Sequence, residues 1–464
     1  MRLSPRMFRA LAWGLLALGA SAAPFALFAA AEGEEAVMRG FFVTAAAGIF
    51  VGGATLAGTA SLNRPAGAAA ALRLAFYGWL VAPLFASPPF IMATGGSVTG
   101  LFEAYSALTT TGAVVLAAED APASIILWRC WLAWLGGLVS LVLAATVFAA
   151  LDRRGVGLRR TSLLTVERAD LFTNFGRAIR RLGLVYALAT AVGWLALMLS
   201  GTPAFAAVCL ALSGVATAGF TPFSVPLLEA IPAPAVLVLA ALCLAGAWNF
   251  AVQYELLSRF RAHRGTGELR AMGAVAGACG IAALFTAGPE QLGPAVLDAL
   301  FAVTTAGFDA SAAAPVPIAA LVLLAMVGGS PISTSGGIKM PRVLLLARRA
   351  AGELSLLSHP SAAVRTRFAG RSVSDDALAG VWVYAIAFPV ALGFGAVAIG
   401  LGGAEFSDAW RAAAASLANA GPLGGVDYAL LSGPSLAACA LLMVAGRLEV
   451  LAAAAAVYVI FARD

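Results

Sequence analysis

The chain has 464 residues, of which 61% are hydrophobic and only 11% are charged, and its mean hydropathy is +0.92. Soluble globular domains are about 45–50% apolar and about 25% charged, and disordered chains are less hydrophobic still, so both classes are excluded. The formal net charge is +6, and the five cysteines occur singly, which disfavours a cysteine metal site. The composition therefore predicts an all-α polytopic membrane protein.

Ten apolar runs are long enough to cross a bilayer, which takes about 20 residues. The first run follows a basic N-terminus and continues to Ala31. Small residues at 19–23 resemble a signal-peptide cleavage site, but the run is long enough to span, so we expect a retained helix. The other nine runs lie near 37–60, 70–92, 124–150, 182–200, 231–258, 271–288, 316–347, 377–401 and 433–461.

The basic residues assign one orientation to these spans. With a cytoplasmic N-terminus, all but four of the 29 basic residues fall in cytoplasmic segments, as the positive-inside rule requires. The four exceptions are Arg39, Arg129, Arg411 and Arg447. We therefore expect a multi-pass protein of a bacterial inner membrane with its N-terminus in the cytoplasm.

Four half-length apolar segments lie between alternate spans, and all end in small residues and glycine. They align without gaps at 103–112, 210–219, 298–307 and 412–421. Each is about a dozen residues with its lead-in, too short to cross, which predicts a re-entrant helix. The chain is therefore interpreted as two leading helices (1–66) and four span, half-helix, span repeats at 67–160, 161–262, 263–350 and 351–464.

Four re-entrant segments around a pseudo-fourfold axis would bring four short loops together. Non-helical backbone at membrane depth is tolerated only where protein buries it or water adjoins it, and a ring of carbonyls can replace the hydration shell of a monovalent cation. The alternative, Gly/Thr-rich turns in outer loops, is hard to reconcile with four gap-free copies. Glu103 and Asp298 occupy equivalent positions in these segments, where they either attract cations or stabilise a helix N-terminus.

Five segments form a recognisable set in order: FEAYSALTTTGAVV from Phe102, TTAGF at 304–308, GGSPISTSGGIK at 328–339, NAGP at 419–422 and GRLE at 446–449. Together they make the sequence resemble the TrkH/KtrB group of potassium transporters. The resemblance implies a fold similar to a potassium-channel tetramer in one chain, K⁺ as the transported ion and no organic cofactor. It also implies filter residues whose carbonyls coordinate the ion: Thr110, Thr111, Gly112, Thr217, Ala218, Gly219, Thr305, Ala306, Gly307, Asn419, Ala420 and Gly421. Ala precedes glycine in three of these loops, so selectivity for K⁺ over Na⁺ stays open.

The run near 316–347 is interrupted by residues that do not continue a helix: Gly328, Gly329, Ser330, Pro331, Ile332, Ser333, Thr334, Ser335, Gly336 and Gly337. Broken helices at membrane depth mark ion pathways, so we interpret this segment as a gate beneath the filter; tight helix packing through small residues is the alternative. Arg447 lies within a span, where a charge is costly and faces a pore or a partner. The resemblance implies that it lines the pore and contacts the gate.

The chain has no Walker A pattern and no large cytoplasmic domain, so regulation would come from another chain. The resemblance implies cytosolic TrkA-like nucleotide-binding subunits on the basic loops 151–182 and 339–371, and a homodimer in the lipid bilayer; no nucleic-acid partner is expected. Retention of these loops by charge alone is the simpler reading of their arginines. Two other classes stay open: a sodium- or proton-coupled symporter, for which Glu449 is the candidate carboxylate, and a membrane enzyme, for which no acid/base pair is evident.

Overall fold

A computed structural model describes residues 5–59, 68–148, 171–259, 267–359, 367–368, 371–373, 375–423 and 425–461. Within these ranges the regular elements are helices, apart from one antiparallel pair, β1 (Arg367–Phe368) and β2 (Arg371–Ser372), which confirms the all-α prediction. The expected repeat boundaries at 66, 160 and 262 lie outside the described residues, and the boundary at 350 lies within a helix.

The two leading helices are α1 (Pro5–Ala31) and α2 (Glu35–Thr59). Their backbones touch, since a methyl group added to Gly48 would lie 2.9 Å from the Cα atom of Gly19. The pair is anchored to the first repeat by aromatic packing, with the ring of Trp128 4.8 Å from that of Phe25 and 5.4 Å from that of Phe41.

The remaining helices are grouped below by the four expected repeats. The first repeat contains α3 (Ala68–Ala86), α4 (Pro88–Thr94), α5 (Ser97–Leu108) and α6 (Ala123–Leu143), which continues as a π-helical turn (Ala144–Phe148). The second contains α7 (Leu171–Leu199), α8 (Ala204–Val215), α9 (Leu227–Ala230), α10 (Ala233–Ala247) and α11 (Phe250–Arg259). The third contains α12 (Glu268–Ala287), a 3₁₀ turn (Pro289–Gln291), α13 (Leu292–Val303), α14 (Ile318–Val327) and α15 (Met340–Ser358). The fourth contains α16 (Asp375–Leu401), α17 (Phe406–Ala418), a 3₁₀ turn (Tyr428–Leu430), α18 (Gly433–Arg447) and α19 (Val450–Phe461).

Six single helices in the described ranges are long and apolar enough to cross a membrane, and three bent pairs raise that number to nine. The one expected span not among these nine, 316–347, is divided into α14, an irregular segment at 328–339 and the start of α15. The four half-helices α5, α8, α13 and α17 have 12, 12, 12 and 13 residues, which confirms the prediction of segments too short to cross.

Three of the expected spans are bent: 70–92 by 49°, and 231–258 and 433–461 by 99° each. At the bend in 231–258, Asn249 begins a new helix by accepting the N–H of Ala251 at 3.0 Å, and the side chain of Gln253 donates to the carbonyl of Ala245 at 2.7 Å. These polar side chains satisfy backbone groups that this bend frees. At the bend in 433–461, Glu449 adopts a φ of +60° just after the end of α18.

Candidate functional site: four loops and the segment beneath them

The four half-helices end in the same turn. The residue two positions before each glycine has a positive φ, which is 53° at Thr110, 50° at Thr217, 60° at Thr305 and 52° at Asn419. Its N–H donates to the carbonyl three residues earlier, at 2.9 to 3.2 Å in the four loops. A positive φ is rare for a β-branched residue, so its recurrence at three threonines marks backbone strain of the kind found at functional sites.

Three of the four loop glycines, Gly112, Gly219 and Gly307, also have positive φ, whereas Gly421 does not. The signal that could have located the strained position is the Thr or Asn two residues before each glycine.

The loops contact one another in a closed order. A methyl group added to Gly112 of the first loop would lie 1.8 Å from the carbonyl oxygen of Ala218 in the second. The corresponding distance is 2.1 Å from Gly219 to Ala306, 3.4 Å from Gly307 to Ala420 and 2.7 Å from Gly421 to Thr111. Each glycine therefore faces the carbonyl that precedes the glycine of the next loop, and the fourth loop returns to the first. All twelve expected filter residues belong to this ring of loops.

The fourth loop differs from the others through its polar side chain and its proline. The amide of Asn419 donates to Thr111 Oγ1 at 3.1 Å and to the carbonyl of Met443 at 2.9 Å. The ring of Pro422 lies 3.0 to 3.2 Å from the methyl positions of the glycines in the other three loops. Pro422 belongs to the NAGP motif but not to the expected filter residues, and its position beside the other three loops is visible only in the folded chain.

A buried ion pair supports the first loop from behind. The fully buried carboxylate of Glu103 accepts the N–H groups of Val115 and Leu116 at 2.7 and 3.0 Å and is held by Arg129 at 2.9 Å. Asp298 accepts the N–H of Ala310 at 2.9 Å in the equivalent place of the third repeat. The expectation that these acids stabilise a helix N-terminus is wrong, because Glu103 lies in the middle of α5 (Ser97–Leu108) and Asp298 in the middle of α13 (Leu292–Val303). Attraction of cations at an outer mouth stays a prediction for both acids. They hold the chain that returns from the loop.

The irregular segment 328–339 lies directly beneath the ring. The N–H of Gly336 donates to Thr305 Oγ1 at 2.9 Å, and a methyl group on Gly336 would lie 1.8 Å from the carbonyl oxygen of Ala418. Thr334 Oγ1 lies 3.0 Å from the carbonyl of Val215 and 3.2 Å from Thr217 Oγ1. The segment thus contacts the second, third and fourth repeats.

Arg447 joins this segment to the first repeat. Its side chain is 7% exposed, with Nε donating to the carbonyl of Thr109 at 2.8 Å and Nη1 to the carbonyl of Thr334 at 2.5 Å, while Nη2 contacts Thr110 Oγ1. The carbonyl of Thr109, one residue before the expected filter residues, was missed. The sequence does not show which carbonyl a distant arginine reaches.

Further polar contacts fix the lower side of the segment. The N–H groups of Ser330 and Phe250 pair with the carbonyls of Ala247 and Ile332, both at 2.9 Å, and Ser330 Oγ also donates to Glu268. Pro331, Ser333 and Ser335 line a cavity of about 20 Å³ together with Lys339 and Arg447. Gly328 and Gly329, the first two expected gate residues, form the turn that follows α14. The N–H of Gly329 donates to Ser335 Oγ at 3.1 Å. Both Gly328 and Gly337 have a positive φ.

The four arginines that broke the charge rule all have oxygen partners. Arg39 pairs with Glu35 at 3.5 Å, Arg129 with Glu103, and Arg411 with Asp408, whereas Arg447 is bonded to the threonine oxygens above. Glu449 bonds to Arg342 at 2.6 Å rather than to Arg447. In the part of the chain described, no group of three or more His, Cys, Asp or Glu side chains could hold a metal ion.

Comparison with known proteins gives a consistent result. The sequence matches the TrkH family model, described as "Cation transport protein", over residues 72–270 and 287–463. A Trk system potassium uptake protein TrkH of Halomonas elongata is 30% identical over 393 residues, 80% of this chain and 81% of the relative. The protein of that name from Escherichia coli is 28% identical over 394 residues, with the same shares covered. The crystal structure of the potassium transporter TrkH from Vibrio parahaemolyticus has a TM-score of 0.85 and 22% identity, covering 99% of this chain and 98% of that one.

Proposed function

The chain belongs to the TrkH family of cation transport proteins, and from this premise we propose that it conducts K⁺ into the cell through a pore at the centre of its four loops. Membership makes it a multi-pass membrane transporter and not an enzyme. The observation that carries the proposal is the closed ring, in which the glycine of each loop faces a carbonyl of the next. Relatives named as potassium uptake proteins supply the choice of ion.

In the proposed mechanism the loop carbonyls replace water around K⁺ as it enters. The half-helices direct the partially negative ends of their dipoles at the loops, which favours a cation there. The proposed ligands are the backbone oxygens of 110–112, 217–219, 305–307 and 419–421. Because the ligand is backbone, the alanines that precede three glycines leave coordination intact.

We propose that the segment 328–337 is the gate and that Arg447 holds it closed. The proposal is supported by the contacts of Thr334 and Gly336, in this segment, with the side-chain oxygens of Thr217 and Thr305 beneath the ring. The guanidinium of Arg447 bridges the segment to Thr109, and a buried positive charge at this depth also opposes a passing cation. Opening requires the segment to leave these partners.

The setting of the transporter is part of the same proposal. The arginine distribution supports a cytoplasmic N-terminus in a bacterial inner membrane. A homodimer with TrkA-like nucleotide-binding subunits on the loops 151–182 and 339–371 would provide regulation; residues 151–170, 360–366 and 369–370 lie outside the described part of the chain.

The test is rubidium and sodium flux through the purified protein in liposomes, together with rescue of a potassium-uptake-deficient strain. We expect passive rubidium flux that exceeds sodium flux and does not depend on a sodium or proton gradient. Absence of rubidium flux both from the correctly folded wild-type protein and from a variant that lacks residues 331–336 of the proposed gate would refute potassium conduction. Flux that requires sodium or a proton gradient would instead support the coupled transporter, with Glu449 as the first residue to substitute.

A further inference from the structure

A large apolar cavity lies beside the first repeat, away from the four-loop ring. It has a volume of about 500 Å³ and is enclosed by α1, α3, α6 and the first turns of α7. Its inner end is Leu108, the last residue of the half-helix α5, and residues of α1 and α3 form its walls. Small-molecule sites in proteins are typically about 300–1,000 Å³, so this cavity has the size of a ligand site.

The cavity opens to the hydrocarbon region of the membrane. Trp13, Val139 and Ile179 line it and are 62, 48 and 49% exposed, although they lie on membrane-spanning helices. Its walls are almost entirely apolar side chains, which offer water few hydrogen-bond partners. Left empty, the walls would lose dispersion contacts, so an acyl chain from the surrounding bilayer is the occupant that fits.

Charge at one end of the cavity indicates the kind of lipid. Arg9 and Arg73 directly precede the lining residues Ala10 and Leu74, and Arg177 lies between two lining residues of α7. In the orientation proposed above, these arginines lie at the cytoplasmic surface. Basic residues at this depth attract anionic phospholipid headgroups.

We propose that the cavity binds one acyl chain of an anionic phospholipid from the cytoplasmic leaflet. The arginines hold the headgroup, and the chain extends between α1 and α3 to Leu108. The inner end of the cavity adjoins the first loop, because Leu108 is the last residue of α5. Gly136 of α6, which also lines the cavity, packs against it: a methyl group on Gly136 would lie 1.8 Å from the carbonyl oxygen of Leu108. The bound chain therefore packs against the helix end that carries the first loop.

The test measures quenching of Trp79, which lines the cavity but is only 4% exposed. The purified full-length protein is placed in vesicles of phosphatidylglycerol with brominated acyl chains, and its fluorescence is compared with that of Trp79→Phe. The difference between the two isolates the signal of Trp79. We expect brominated phosphatidylglycerol to quench that signal and brominated phosphatidylcholine to leave most of it.

Two glycines allow the cavity to be filled from within. A methyl group on Gly14 meets nothing within 4 Å, and one on Gly78 meets only the end of Leu11 at 3.8 Å. The double variant Gly14→Leu/Gly78→Leu should abolish the quenching of Trp79. The matched control Gly393→Leu, on exposed α16 with equally open surroundings, should retain it.

Three results would overturn the proposal: Trp79 unquenched in wild-type protein, equal quenching by both lipids, or quenching that persists in the double variant. Rubidium flux is measured on the same samples. Because quenching is a binding measurement, its failure is distinguishable from failure of the proposed potassium conduction.

Discussion

Replacing Arg447 with alanine should increase ion flux. The substitution removes three donors that meet the carbonyl of Thr109, the hydroxyl of Thr110 and the carbonyl of Thr334. Of these three partners only Thr334 belongs to the proposed gate, so the 2.5 Å bond to its carbonyl is the one by which Arg447 holds the gate. Its loss acts directly on the balance between closed and open forms.

The expected size follows from that single bond. A hydrogen bond to a charged group contributes about 1.5–3 kcal/mol, and each 1.4 kcal/mol is a factor of about ten in an equilibrium constant. The closed-to-open ratio should therefore fall by about 10- to 150-fold. Flux rises by the same factor until the open form predominates, and loss of the positive charge adds to the increase.

The assay is rubidium uptake into liposomes that contain equal amounts of protein. Arg447→Lys keeps the charge but lacks the planar fork that spans two carbonyls, so it separates the electrostatic barrier from the hydrogen bonds. Arg39→Ala removes a largely exposed arginine of α2 and should leave flux unchanged. Unchanged or lower flux in Arg447→Ala, from protein with a wild-type elution profile and Tm, would refute the reasoning.

Three further predictions concern the gate, the ring and its support. Deleting 331–336 removes the part of the segment that touches the loops, so rubidium flux should reach at least that of the arginine variant; a deletion that stays closed contradicts the gate. Gly112→Ala places a methyl group 1.8 Å from the carbonyl oxygen of Ala218 in the next loop, at a φ of 84°, and should abolish rubidium flux. The control Gly403→Ala has a φ of 99° but nothing within 4 Å of the added methyl group, and it should retain flux. Equal loss in both variants would assign the effect to backbone strain. Glu103→Gln leaves the buried Arg129 without a counter-charge and should lower stability by about 3–5 kcal/mol, measured as a fall in Tm. Glu35→Gln, in an exposed pair, should change stability by less than about 1 kcal/mol, and a similar Tm shift in both would contradict the supporting role.

Features that depend on local pattern were predictable from the sequence. Hydrophobic runs located the ten segments, and gap-free alignment located the four half-helices, because bilayer thickness fixes how long an apolar helix must be to span. The interruption at 328–337 was equally visible, since Pro331 and adjacent glycines do not continue a helix.

Features that depend on distant contacts were not predictable. Nothing near Glu103 in the chain indicates that it pairs with Arg129, 26 residues later, and holds the returning loop. The bend at Asn249 lacks both proline and glycine, because it depends on side chains that cap the two helix ends. Pro422 gains its position beside three other loops only when all four assemble.

The four repeats are joined in one polypeptide, and this has a consequence for how the protein opens. A homotetramer must place the same residue at four equivalent positions, so any plug it carries is multiplied by four. Covalent fusion frees each quarter to diverge, and here the third repeat alone supplies the proposed gate segment while the fourth supplies the arginine bound to it. If that segment is the gate, its release is one event on one side of the axis, and the dose–response to an activating signal should lack the steepness of concerted subunit transitions.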